Sequence, residues 1–174
     1  MKLQAYAFQS IIQAMEAPKR RGLVALGLSL LLVLMSYPIL RSTTTGLFLH
    51  YFGAQNSPYV WFYSVLAIIG CVFFYDRAQR HWPLFQLYNV TVLLSIGIFL
   101  GGLYLLSLAW EPSAYFLFVW KEAYIVLLVH MIFGVANASL RLEEAKVFYG
   151  PLGALGSLGG IFGGLLTGWL TYHF

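Results

Sequence analysis

The sequence predicts an all-α membrane protein, a polytopic bundle of about five transmembrane helices. Hydrophobic residues make up 60% of the 174 positions, and Asp, Glu, Lys and Arg together make up only 9%. A soluble domain carries roughly 25% charged residues, so this chain has too few charges for a surface in contact with water. Several apolar runs are also long enough to cross the roughly 30 Å of hydrocarbon in a bilayer. A water-soluble enzyme is therefore excluded, and the lipid bilayer is the first partner expected.

The placement of the charges argues against nucleic acid as a partner, although the net charge is +4. The basic residues lie between apolar runs and do not form one continuous patch. Cys71 is a lone cysteine inside an apolar run, so neither a disulfide framework nor a metal cluster is expected from this chain. No short motif for a metal, a nucleotide cofactor or a nucleophilic serine occurs. We therefore expect no enzymatic activity, no cofactor and no metal site.

Residues 1–21 form the first predicted segment, on the cytoplasmic side of the membrane. Leu3, Ala7, Ile11 and Met15 recur at helical spacing, which favours an amphipathic helix lying on the membrane surface. A frayed tail is the alternative. The segment differs from a signal peptide because the apolar run after it is at least 19 residues long and no small-residue cleavage site follows.

The transmembrane bundle is predicted to occupy residues 22–174. The first span is free of charge to Leu40 and continues through Arg41, with a kink expected at Pro38. Turn-forming or charged stretches separate the later spans: 52–58, the loop at 76–82, Glu111-Pro112-Ser113 and 141–146. The predicted spans are therefore about 22–51, 59–75, 83–110, 114–140 and 147–174.

The distribution of Lys and Arg predicts the orientation, because cytoplasmic loops carry the positive excess. With the N-terminus inside, at most Arg41 falls outside, and Lys121 lies within a span. We expect a multi-pass protein of the cell inner membrane, with its C-terminus on the outer side after an odd number of crossings. The cytoplasmic segments then hold Lys2, Lys19, Arg20, Arg21, Arg77, Arg80, Arg141 and Lys146.

The fifth span carries glycines at every fourth position: Gly156, Gly160, Gly164 and Gly168. Small residues at this spacing let two helix backbones approach closely, which is how helices associate in lipid. The glycine face is therefore predicted to be a helix-packing interface with a neighbouring helix. It serves either as plain tight packing or as a sliding, gating contact.

The fourth span holds ionisable and polar residues, which are costly in a membrane and usually face a bundle interior or a water-filled path. Glu122, His130 and Asn137 fall within about 80° of one another on a helical wheel, over about 22 Å of helix. Lys121 lies at the edge of this stripe. The stripe is the best candidate for a substrate or ion pathway. The alternative is that Lys121 extends its ammonium to the interface while Glu122 pairs with it or with a neighbour.

Two further groups of charges are candidates. Arg41 would face the bundle and bind an anion if the first helix continues past it, or mark the membrane edge if the helix ends at Leu40. Asp76, Arg77 and Arg80 would join neighbouring helices by charge pairs, or form an ordinary positive cytoplasmic loop.

Two stretches resemble the N-terminal part of bacterial ATP/ADP antiporter-like nucleotide transporters, which are related to the major facilitator superfamily. They are residues 37–67 (YPILRSTTTGLFLHYFGAQNSPYVWFYSVLA) and residues 116–160 (FLFVWKEAYIVLLVHMIFGVANASLRLEEAKVFYGPLGALGSLGG). The VWKE segment and the YGPLGALGSLGG segment are the most specific parts. The 76–80 loop looks like a weak form of the facilitator motif between the second and third helices.

The resemblance implies a nucleotide or organic-anion substrate, with Lys121 matching the fourth-helix lysine that binds phosphate; Arg41 matches the family's pattern less closely. It also implies a fold of two six-helix halves, whereas this chain resembles an incomplete N-terminal half. We therefore expect transport only if a second copy or another membrane subunit completes the bundle. The alternative is a non-transporting accessory subunit of a larger complex, docked through the glycine-rich fifth helix.

Overall fold

The computed structural model describes residues 16–173, and within that range the chain consists of five long α-helices and no strand. A single 3₁₀ turn at Ala54–Asn56 joins the first two helices. The prediction of an all-α bundle of about five spans is confirmed. The helices are α1 (Ala17–Phe52), α2 (Ser57–Ala78), α3 (Leu84–Ser107), α4 (Pro112–Ser139) and α5 (Leu142–His173).

All five helices are long and apolar enough to cross a membrane, with mean hydropathy between 1.3 and 2.3 over their most apolar stretches. Large apolar side chains also cover the outside of the bundle. Phe73 and Phe74 on α2 are 67% and 72% exposed, and Leu93 on α3 is 69% exposed. In water these side chains would form a large apolar surface, whereas hydrocarbon solvates them without cost. The chain is therefore a multi-pass membrane protein.

The helix ends follow from local sequence. Gly53, at φ 73°, ends α1 in a conformation that favours glycine. Pro58 and Pro112 occupy the first turns of α2 and α4, where a missing N–H is tolerated. Ala109, at φ 60°, turns the chain between α3 and α4.

The boundaries of α1 and α5 differ from the predicted ones. Helix α1 begins at Ala17, so the basic residues 19–21 belong to its first turns instead of to a separate segment. Residues 1–15, where the amphipathic segment was predicted, lie outside the described part of the chain. Helix α5 begins at Leu142, before the predicted start at about 147. Glu143 and Glu144 lie in its first turn, where their negative charges interact favourably with the positive end of the helix dipole.

Helix α4 is the centre of the bundle. Half of its most apolar stretch is buried, against 11–22% for the other four helices. It packs against α1, α2 and α3, whereas α5 packs mainly along α1. The largest core cluster joins Leu30 of α1, Leu128 and Ile132 of α4, and Leu152 of α5. The most buried helix is thus also the one that carries Lys121 and Glu122.

Short connections make consecutive helices antiparallel, so the start of α1, the α2–α3 loop and the α4–α5 loop share one end of the bundle. We call this the basic end, and the opposite end the far end. The basic end carries Lys19, Arg20, Arg21, Arg77, Arg80, Arg141 and Lys146.

A candidate solute-binding groove

Lys121 lies inside the bundle with only 1% of its surface exposed. Its Nζ is 2.9 Å from Oε1 of Glu122 and donates a hydrogen bond to it. The same ammonium lies 3.3 Å from the ring centroid of Phe118 on α4 and 5.7 Å from that of Trp61 on α2. A carboxylate and two aromatic faces together replace the hydration that the charge gives up on burial.

Glu122 connects this pair to α1. Its Oε2 accepts a hydrogen bond of 3.2 Å from the hydroxyl of Tyr37, and its side chain keeps 12% of its surface exposed. The carboxylate therefore holds a lysine on one oxygen and a tyrosine on the other. It is also the more exposed member of the pair, since the Lys121 side chain is only 1% exposed.

A second polar link between α1 and α4 lies close by. The Ser36 hydroxyl donates to the Val33 carbonyl at 2.7 Å and lies 3.2 Å from the hydroxyl of Tyr124. Because a serine hydroxyl has one proton, the Tyr124 hydroxyl must donate to Ser36. Together with Tyr37–Glu122, this link fixes the register of the two helices inside the apolar core.

Arg41 lies one helical turn beyond Tyr37 on the same face of α1. Its side chain is exposed, and within residues 16–173 it forms no ion pair and no side-chain hydrogen bond. Among the described residues, Arg41 is therefore an unpaired cation one turn from Tyr37, the residue that joins α1 to the Lys121–Glu122 pair.

A groove of about 360 Å³ opens beside this cluster, between α1, α4 and α5. Tyr37 lines it and so connects it to the charged pair. The α5 wall is low because small residues form it, namely Gly153, Gly156, Ser157 and Gly160. The other two walls are apolar and come from Leu30, Leu34, Pro38, Val129 and Phe133.

The glycines of α5 are divided between two faces, and here the structure differs from the prediction. Gly156, Gly159 and Gly163 face α1, and a Cβ at Gly159 or Gly163 would overlap the carbonyl oxygen of Leu31 or Met35. Of the four predicted interface glycines, only Gly156 is in this contact. A Cβ at Gly160, Gly164 or Gly168 would meet nothing within 4 Å among the described residues. Within the described chain, the face packed on α1 is that of Gly156, Gly159 and Gly163, and the contact of Gly160, Gly164 and Gly168 with a neighbour stays a prediction.

The predicted polar stripe of α4 does not form one path. Glu122 faces Tyr37 of α1, whereas His130 packs edge-on against Tyr75 of α2 with ring centroids 5.4 Å apart. Asn137 accepts a hydrogen bond from the hydroxyl of Tyr149 on α5. Each residue meets a different neighbour because α4 is surrounded by the other helices. His130 and Asn137 therefore lie away from the Lys121–Glu122 cluster.

Of the two alternatives for Asp76, Arg77 and Arg80, charge pairs between helices are not found within residues 16–173. Asp76 instead accepts a hydrogen bond of 3.1 Å from Gln79, and both arginines are exposed. The ion pair that joins helices at the basic end is Lys19–Glu144, at 2.5 Å. The pair joins residues 125 positions apart. Its signal in the sequence was weak: a lysine and a glutamate at the starts of two helices that four spans, an even number, bring to the same end.

Tyr37, Ser36 and Tyr124 are the site residues that the sequence analysis missed. Tyr37 had one usable signal, because it precedes Arg41 by four residues and so shares its helix face. Within the described part of the chain, no three His, Cys, Asp or Glu side chains come together as a metal site requires. Comparison with protein families, with curated proteins and with solved structures finds no match.

Proposed function

We propose that this chain is a membrane unit of an organic-anion transporter of the nucleotide (ATP/ADP) antiporter kind, without enzymatic activity. The observation that supports the proposal is the cluster at the groove: an intramembrane Lys–Glu pair bridged to α1 by Tyr37, with Arg41 unpaired one turn away. Ionisable residues held inside a membrane bundle usually mark a substrate or ion pathway. The resemblance of residues 37–67 and 116–160 to such antiporters points the same way.

The geometry gives each charge a distinct role in this proposal. Arg41 makes the first contact, because its planar guanidinium is exposed and can bind two phosphate oxygens at once. Lys121 is already neutralised by Glu122, so it reaches a substrate only when the anion displaces that carboxylate. Glu122 therefore pairs with the Lys121 ammonium until an anion arrives, and Tyr37, which lines the groove, holds Glu122 in position.

Transport in this scheme requires a second helical bundle facing the groove, because alternating access works by two bundles moving around one site. A second copy of the chain or another membrane subunit supplies it. We place the protein in the cell inner membrane with the basic end toward the cytoplasm, which follows the positive-inside rule.

Uptake into proteoliposomes tests the proposal, with labelled ATP or ADP outside and unlabelled nucleotide inside. Arg41→Gln is expected to lower the initial rate about tenfold, the effect of losing one hydrogen bond to a charged group. Lys121→Ala is expected to abolish uptake. Arg80→Gln is the control, since it removes a similar charge from an exposed loop position. Absence of uptake with the wild-type chain and its co-purifying partners, or equal rates for Arg41→Gln and Arg80→Gln, would overturn the proposal.

The second candidate function is that of an accessory subunit that docks through α5 without transporting. The observation that favours it is the open row of Gly160, Gly164 and Gly168, which leaves a flat helix face without a neighbour in the described chain. Native purification and identification of the associated chains tests it. Gly164→Leu should release the partner, whereas Gly101→Leu, at an equally open glycine of α3, should not. Purification of the chain alone from native membranes would rule this function out.

A further inference from the structure

A second cavity, of about 370 Å³, lies at the basic end between α1 and α3, with α4 as its floor. It forms because α1 and α3 both pack on α4 and hardly on each other. Its walls are mostly apolar, from residues such as Leu26, Phe85 and Ile132, and Lys19 stands at its mouth. It belongs to neither the Lys121–Glu122 cluster nor the groove beside it.

Among the described residues, the cavity has its one charged lining residue, Lys19, at one end, and the rest of its lining is mostly apolar. Lys19 and Ser139 lie at the basic end, where α1 begins and α4 ends, and Ser29 lies ten residues further along α1. At 1.5 Å per residue this is a depth of about 15 Å, or about half the hydrocarbon thickness. One leaflet of a bilayer has this depth and likewise carries its charge at one end.

A shallower groove of about 260 Å³ runs down the neighbouring face of α1. It is lined by Arg20, Arg21, Val24 and Leu28, and it shares Ala25 with the deeper cavity. Two apolar channels, the deep cavity and this open groove formed by α1 residues alone, therefore lie side by side at the start of α1, each with basic side chains at the same end. A phospholipid has this form, with two acyl chains beneath one headgroup.

We infer that these two channels bind one anionic phospholipid, whose acyl chains straddle α1 and whose phosphate meets Lys19, Arg20 and Arg21. An acyl chain fits the deep cavity better than water does, because a mostly apolar cavity does not hold water. An empty cavity would also leave its lining side chains without van der Waals contacts.

The charges at the mouth select an anionic headgroup over a neutral one. Lys19 is engaged by Glu144, but an ammonium has three donors and only one is used. Within residues 16–173, Arg20 and Arg21 form no ion pair, so their charges are uncompensated. A basic residue near the surface of an anionic membrane contributes about fivefold in affinity.

Native mass spectrometry of the purified full chain tests the inference, with phosphatidylglycerol and phosphatidylcholine of identical acyl chains as probes. The wild type should retain one phosphatidylglycerol under conditions that remove phosphatidylcholine. Arg20→Gln should lower the phosphatidylglycerol affinity about fivefold. Ser29→Trp, which fills the deep cavity, should remove the tightly held lipid while circular dichroism shows unchanged helicity.

Two control variants separate this site from general attraction between charges. Arg80→Gln removes a charge from the same end but lines neither channel, and Leu32→Trp adds the same ring to an outward-facing position of α1. Both should bind phosphatidylglycerol like the wild type. The inference fails if the wild type retains the two lipids equally. It also fails if Ser29→Trp binds like Leu32→Trp, or if Arg80→Gln loses as much affinity as Arg20→Gln.

Discussion

Lys121 and Glu122 illustrate at the scale of single residues how charge is kept inside an apolar bundle. Moving either ion out of water alone costs several kcal/mol, so each depends on its partner. Lys121 has Glu122 at 2.9 Å and the Phe118 ring beneath it, and Glu122 has Tyr37 as a second donor. The contribution of each residue to the stability of the bundle therefore depends on the other.

Replacing Lys121 alone should be worse than replacing the pair. Lys121→Met leaves the Glu122 carboxylate with only Tyr37 and should lower the free energy of unfolding by about 3–5 kcal/mol. The double variant Lys121→Met, Glu122→Gln removes both charges and should recover a large part of that loss. Unfolding in mixed micelles, followed by circular dichroism, measures both. Simple additivity of the two single changes would contradict this coupling.

Two buried serines provide a matched comparison of a hydroxyl that has a partner and one that does not. Ser113 is 1% exposed and donates to the Gly102 carbonyl at 2.6 Å, so Ser113→Ala should cost about 1 kcal/mol of unfolding free energy. Ser95 is 4% exposed, and its hydroxyl has no hydrogen-bond partner among the described residues. Ser95→Ala should be neutral or stabilising. Unfolding in mixed micelles measures both variants. Equal losses of unfolding free energy for Ser113→Ala and Ser95→Ala would contradict this prediction.

At the scale of the helix, α5 has two glycine faces with different physical roles. On one face Gly159 and Gly163 let the backbone of α5 lie directly against the carbonyls of α1. On the other face Gly160, Gly164 and Gly168 are open. The first face holds the bundle together, and the second leaves a low wall beside the groove.

One added methyl group distinguishes the two faces. Gly159→Ala places a Cβ against the Leu31 carbonyl and forces α1 and α5 apart, which should cost about 1–3 kcal/mol of unfolding free energy. Gly164→Ala meets nothing and removes the flexibility of glycine within a helix, so it should stabilise by about 0.5–1 kcal/mol. Thermal unfolding of both variants gives the comparison. A loss at Gly164 as large as that at Gly159 would mean that the second face is also packed.

The elements could be predicted from hydropathy better than their ends or their faces. Runs of about 20 apolar residues identify a span whatever it packs against, so the number of helices was predictable. The start of α1 was not, because Lys19, Arg20 and Arg21 change solvation without ending a helix. The packing face of α5 was also undetermined, since the repeats 156–160–164–168 and 159–163 satisfy the same rule and only tertiary contacts choose between them.

At the scale of the whole molecule, the basic and far ends give the bundle a direction. We expect the basic end to face the cytoplasm. Single cysteines in a Cys71→Ser background test this, at exposed Gln55 in the far-end turn and at exposed His81 in the α2–α3 loop. An impermeant maleimide added to spheroplasts should label Gln55→Cys, and His81→Cys only after lysis. The reverse pattern would invert the orientation.

The candidate site was predictable in its charges and not in its connections. Lys121, Glu122 and Arg41 stand out because ionisable residues are rare in apolar spans. Tyr37 does not stand out in the sequence, because tyrosine is common in this chain. Its role depends on where α1 packs against α4, which places its hydroxyl against Glu122. For the same reason His130 and Asn137, on one side of a helical wheel with Glu122, were assigned to one pathway although they meet α2 and α5.

The central position of α4 has a consequence for biosynthesis. Helices α1, α2 and α3 all pack on α4, yet they precede it in the chain and leave the ribosome first. Each must therefore be stable in the bilayer alone, which their hydropathy allows. Assembly begins when the fourth segment is inserted among them, and α5 then closes along α1. A nascent chain halted before Pro112 should be inserted but unassembled, and hence open to proteolysis.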